Sequence, residues 1–244
     1  MHWSQQHKAT GLGLYLGLLF AGFSVHPLVF GQNDAARGAV DFSVLANRNA
    51  SAPLRRSKPV NFKHESASPD TRHTAEWVVD SRDNRNLPFV IVDKTDGKVF
   101  IFHADGRLRG AAPALMGLAV GDDSVPGIGD RTLSSILPQE RTTPAGRFVA
   151  ALDHNLQGKE ILWVDYETAI SLHPVITSNP MERRAERLAT PSPLDNRITY
   201  GCINVPVQFF KQVVVPAFKT SNGIVYVLPE TMRLQAAFPS LYIL

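Results

Sequence analysis

Cysteine is almost missing from this sequence. Cys202 is the single one among 244 residues, so no internal disulfide can form and no multi-cysteine zinc site can be built. An excess of one charge is missing too. Lys and Arg number 25 against 22 Asp and Glu, a net charge of +3, with the two signs interspersed. That balance makes no electrostatic case for nucleic acid. It fits at most a mild attraction to an anionic polymer such as a cell wall. Internal repeats and low-complexity tracts are also lacking.

What is present begins with an apolar N-terminus. Lys8 gives a basic flank, Gly11 to Phe23 is apolar and uncharged, and polar sequence resumes near Gln32. This is the pattern of a secretory signal segment. The uncharged run from Ala9 to Asn33 is also long enough to span a bilayer, although His26 and Pro27 interrupt it. An uncleaved anchor with membrane contact is therefore the alternative. Either reading exports the rest of the chain to the periplasm or cell envelope. A lone thiol there risks oxidation, which favours a reactive role for Cys202 over an inert buried one. Residues 32–86 are rich in Ser, Pro, Asn, Arg and Asp. They read as a flexible linker between a signal or anchor (1–31) and a domain (87–244), with Trp77-Val78-Val79 beginning to dock on the domain.

The domain has the punctuation of a mainly β protein. Phe89 to Asp93 and Lys98 to His103 read as a hairpin across Asp96-Gly97. Phe148 to Leu152, Ile161 to Tyr166, Ala169 to His173 and Ile224 to Leu228 are further strands. Many short strands separated by Gly and Pro imply a sandwich or barrel-like domain. One short helix is expected, from Val207 to Val215, with Asn204 as its N-cap and Pro206 in its first turn.

The chemistry gathers at Arg197-Ile198-Thr199-Tyr200-Gly201-Cys202-Ile203-Asn204-Val205-Pro206. Gly201 lets the backbone approach closely before the thiol. A helix starting just after Cys202 would aim its N–H groups at the sulfur and favour the thiolate. The N–H groups of Tyr200, Gly201 and Cys202 could converge on one acyl oxygen. A thiolate nucleophile also needs a base, usually His. The domain offers His103, His154 and His173. His103 and His154 lie at turns where exposure is the ordinary reading. His173 ends a strand and precedes the loop that returns to Cys202.

These motifs resemble the YkuD-like L,D-transpeptidases. In that family a His, then a loop, precedes Ser/Thr-His-Gly-Cys, as His173 here precedes Thr199-Tyr200-Gly201-Cys202. Thr143-Pro144-Ala145-Gly146-Arg147-Phe148 is similar to the family's TPxGxF motif, Phe89 to Gly106 to its opening hairpin, and Gly117 to Gly121 to its next strand end. The likeness covers about residues 87 to 229. Two departures stand out. Tyr200 replaces the second His, and the loop from Pro174 to Ile198 is longer than usual.

The resemblance implies a YkuD-like fold, Cys202 as nucleophile and His173 as base. Tyr200, Gly201 and Pro174 would support them, the Pro174 carbonyl by orienting the imidazole. Asn204, Arg197 and Thr199 would contact substrate. Arg183, Arg184 and Arg187 read as a solvated loop face, or else as contacts for substrate carboxylates. The substrate would be a peptidoglycan stem tetrapeptide, joined to an amine by a 3→3 cross-link, without metal or other cofactor. Amide hydrolysis by the same fold, a non-catalytic wall-binding module and a papain-like protease are the alternatives. The last is disfavoured because the His precedes the Cys.

Overall fold

Phe89-Val90-Ile91-Val92 has no polar face, so a strand there must be covered on both sides. The computed structural model describes residues 60–241; the apolar N-terminus and the linker up to residue 59 lie outside the described residues. Ten strands follow in chain order: β1 (Phe89–Asp93), β2 (Lys98–Phe102), β3 (Leu108–Pro113), β4 (Met116–Gly117), β5 (Gly146–His154), β6 (Glu160–Asp165), β7 (Ile170–Pro174), β8 (Arg197–Thr199), β9 (Ile203–Val205) and β10 (Gly223–Val227). Helices are short: α1 (Pro69–Ser81), α2 (Arg184–Ala189), α3 (Val207–Phe209), α4 (Val215–Phe218) and α5 (Leu234–Ala237). The mainly β class expected from the sequence is what the chain adopts.

Eight strands form one sheet in the order β3-β2-β1-β10-β5-β6-β7-β9. β1 lies inside it, parallel to β10 and antiparallel to β2, and all five of its residues are buried. The two outer strands of the sheet approach each other. Just past β3, Leu115 exchanges two backbone hydrogen bonds with Asn204 of β9, at 2.8 and 2.9 Å. β4 then pairs with β8. The sheet thus curls toward a barrel.

Alternation along the strands separates two cores. Val90, Val92, Val99, Ile101, Leu172 and Ile203 face inward, with Phe210, Val214 and Phe218 packed on them. Phe89, Ile91, Phe100, Phe102 and Tyr226 face the other way, under Trp77 and Val78 of α1 and Leu234 of α5.

Two expectations need correction. The stretch assigned to the linker is structured from Pro69 on. Ser68 caps α1 by accepting from Thr71 N at 3.1 Å, Pro69 occupies the first turn, and Asp70 suits its positive end. The apolar residues of α1 cover the outer core, a role that linker-like composition hides. The helix after Cys202 begins at Val207 as expected, but with a different cap. Asn204 is in β9, and Pro206 is the cap of α3. Strand β9 therefore separates Cys202 from the helix in the chain. Beyond α3 the chain winds as a π turn over Phe210–Val214 before α4, next to Pro216, which has no N–H to close an α turn.

Candidate active site

Cys202 sits half-buried in the turn between β8 and β9. That turn is closed by Thr199, whose hydroxyl donates to Cys202 O at 2.7 Å and accepts from Gly201 N at 3.1 Å. Gly201 has φ +130°, and a Cβ there would lie 2.6 Å from Thr142 O. Only glycine fits such a backbone. The carbonyl of Gly201 accepts from the Thr143 hydroxyl at 2.8 Å, and the same hydroxyl accepts from Gly117 N at 2.9 Å. The TPxGxF-like motif therefore grips the peptide that leads into Cys202. Gly117 is required for this approach, since a Cβ there would meet Arg141 O at 2.3 Å.

β7 and β9 are parallel neighbours with His173 opposite Asn204, which puts the imidazole two residues along from Cys202. Its Nδ1–H donates to Pro174 O at 2.8 Å, which leaves Nε2 with a lone pair. Nε2 takes a 3.0 Å hydrogen bond from the Asn204 amide. The Cys202 thiol donates toward Ala169 O at 3.7 Å and lies 3.6 Å from Ser171 Oγ, and thiol and imidazole act on each other electrostatically. Burial is the largest influence on both groups and disfavours their charged forms. For His173 it is outweighed by the hydrogen bond and charge of Cys202 and by Pro174 O, so its pKa is raised. For Cys202 it is outweighed by His173 and by Ser171, so its pKa is lowered. Both shifts favour passing the thiol proton to the ring.

The remaining sequence candidates are placed as follows. Tyr200 lies beneath Arg141, whose guanidinium stands 4.0 Å over its ring. Arg197 forms an ion pair with Glu230 and donates to Lys94 O at 3.2 Å. Thr199 is buried and closes the Cys202 turn. Asn204 is buried between His173 and Arg184, whose Nη1 donates to Asn204 Oδ1 at 2.8 Å. All three expected substrate contacts thus direct these bonds to the protein itself. The Gly201 N–H is held by Thr199 and drops out of the expected oxyanion donors. His103 follows β2 and His154 ends β5. Arg187 Nη1 donates to Asp195 O at 2.6 Å, and Arg183 is exposed.

Sequence reasoning missed the roles of three side chains. Ser171 Oγ lies 3.6 Å from Cys202 Sγ. It is two residues before His173 on a strand, so the period of two already put both on one face. Thr143 was visible only as part of a motif. Arg184 was named only as a loop-face or substrate-contact residue; its bond to Asn204 had no local signal, because the two are 20 residues apart. Among the described residues no cluster of three or more His, Cys, Asp or Glu is arranged to hold a metal ion.

No protein-family model and no curated protein sequence matches the chain. Solved structures match at low identity. The helical cell shape determining protein Pgp2 from Campylobacter jejuni is 18% identical over 62% of this chain and 50% of its own, with a TM-score of 0.41. The catalytic domain of an E. faecium L,D-transpeptidase is 15% identical over 59% of this chain and 98% of its own, at 0.37. An L,D-transpeptidase from Mycobacterium tuberculosis H37Rv is 13% identical over 57% of each chain, at 0.35. The chain thus spans about half the length of Pgp2.

Proposed function

We propose that this is an exported L,D-transpeptidase with a YkuD-like domain, acting through a thioester on Cys202. The observation that supports the reading is His173 on β7 opposite Asn204 of β9, two residues past Cys202, beside a backbone turn held by Thr199 and Thr143. His173 Nε2 takes the thiol proton, and Sγ attacks the carbonyl of the third residue of a stem tetrapeptide. The N–H groups of Tyr200 and Cys202 are the donors for the oxyanion. The C–N bond to the terminal residue breaks, and its amine leaves with the proton from His173. A side-chain amine of a second stem then attacks the thioester, its proton passes to His173, and the 3→3 cross-link forms as the thiol is restored. The covalent intermediate keeps the acyl group activated, so no nucleotide is required outside the cell.

The test is incubation of the chain with purified disaccharide-tetrapeptide, read by mass spectrometry beside Cys202→Ala and His173→Ala. A cross-linked dimer lacking one terminal residue, absent from both variants, is the expected result. Tripeptide without dimer would replace transfer by hydrolysis. No product and no adduct on Cys202 would sink the enzyme reading.

A further inference from the structure

The long segment after β7 reaches back into the site through one side chain. Arg184, the first residue of α2, donates from Nη1 to Asn204 Oδ1 at 2.8 Å. Its Nε is paired with Glu182 Oε2 at 2.5 Å. Arginine has only donors. The carboxamide oxygen of Asn204 must therefore face Arg184, and its NH2 must face His173 Nε2, 3.0 Å away. The backbone of Asn204 is clamped in turn by both hydrogen bonds to Leu115. The amide has one orientation that satisfies all its partners.

That orientation has a consequence for the proton. When Cys202 gives its proton to Nε2, the new N–H meets the NH2 of Asn204, donor against donor. The imidazolium would be matched by the amide oxygen instead, which Arg184 holds on the far side. We propose that Arg184 is a positioning residue that, by holding Asn204 Oδ1, keeps the amide NH2 on His173 Nε2 and sets the resting Cys202–His173 pair in its neutral form. The inference rests on the reading of Cys202 and His173 as nucleophile and base. The attraction within the pair favours proton transfer, and the locked amide opposes it. Among the described residues, the titratable and charged groups acting on His173 are Cys202 from the turn before β9 and Arg184 from α2, the latter paired with Glu182. The Arg184 charge also lowers the His173 pKa directly, and the Asn204→Ala background separates that effect from the amide orientation.

The single cysteine makes the test clean, because iodoacetamide then reports on Cys202 alone. The rate of alkylation of the full chain is measured against pH by intact mass, with circular dichroism to confirm folding. Arg184→Met frees the amide to turn, and the midpoint of the rate rise moves down by about one pH unit, or about tenfold faster alkylation on the acid limb. Arg184→Lys keeps a cationic donor on Oδ1 and stays near the parent midpoint. In an Asn204→Ala background Arg184→Met shifts it less, by the direct charge effect alone. An unchanged or higher midpoint in folded Arg184→Met overturns the proposal, as does an equal shift with and without the Asn204 amide. Independently of any variant, 15N shifts of the parent's imidazole at neutral pH report protonated Nδ1 and bare Nε2 at His173; an imidazolium there overturns it. These readouts need no peptidoglycan, so the absence of muropeptide products leaves them interpretable. A His173→Ala variant with the parent midpoint would remove the pair, and both readings with it.

Discussion

A hydroxyl and a glycine decide how the Cys202 thiol is presented. Thr143 touches no group of Cys202 itself, yet its hydroxyl links Gly201 O to Gly117 N. Thr143→Val keeps the shape and removes both bonds, leaving a buried carbonyl and a buried N–H unmatched at about 1–3 kcal/mol each. We expect lower stability in chemical denaturation and Cys202 acylation slowed about tenfold or more, with Thr143→Ser restoring most of both. An acylation rate equal to the parent's would show that the turn holds without Thr143. Ser171 acts on the sulfur directly and helps to lower its pKa. Ser171→Ala should move thiolate formation to higher pH, read as the midpoint of alkylation. The residue scale is also where sequence reasoning was weakest. The family resemblance implied substrate contacts for Arg197, Thr199 and Asn204, and gave no sign of the protein partners that each of them holds. Flanking residues on a strand alternate faces, and which partner each meets depends on Lys94, Glu230 and Arg184, all distant in sequence.

The strands were the most legible elements, and α1 the least. β1 matches its expected bounds, and the strands around it lie within a few residues of theirs, because a run such as Phe89-Val90-Ile91-Val92 has few alternatives to a strand covered on both faces. The short strands β4, β8 and β9 carry two or three residues each and no periodicity. They exist because the curled sheet brings their backbones together. Helix α1 was hidden by its polar composition, although Ser68-Pro69-Asp70 is a start signal in itself. Its anchoring is specific. The hydroxyls of Ser68 and Thr71 both donate to Asp93 Oδ2, at 2.5 and 2.7 Å, and Trp77 Nε1 donates to Ser240 O at 3.1 Å. Ser68→Ala should cost about 1–2 kcal/mol from the lost cap and tether, measurable by urea titration. A fragment that starts at residue 87 exposes the outer face of β1 and β10. It should be far less soluble than one starting at residue 60, and equal solubility and melting of the two would show that α1 is dispensable.

On the scale of the whole molecule, the near-closed sheet is locked by charge rather than by a covalent bond. Lys94, just past β1, has a fully buried side chain and donates to Asp122 Oδ1, Gly121 O and Thr143 O at 2.7, 2.6 and 2.9 Å. Asp122 also accepts from Glu230 N, Thr231 N, Met232 N and the Thr231 hydroxyl. One cluster thus ties the first hairpin, the segment carrying Thr143 and the chain after β10. The grip on Gly201 is connected to it through Thr143 O. Burial, the largest influence, raises the Asp122 pKa, but Lys94, Thr231 and the N–H groups of Glu230 and Met232 outweigh it and hold the carboxyl well below the usual range. A folded-state pKa below the unfolded value of about 3.9 stabilises the fold at higher pH, and that contribution fades as pH falls below the unfolded value. Asp122→Asn leaves Lys94 without its closest carboxylate and should cost about 3–5 kcal/mol near neutrality. The gap in unfolding free energy between parent and variant should then narrow at about pH 3, because only the parent loses a titrating carboxylate. A gap independent of pH would mean that Asp122 titrates alike in both states, and that the closure of the sheet owes its strength to the apolar cores.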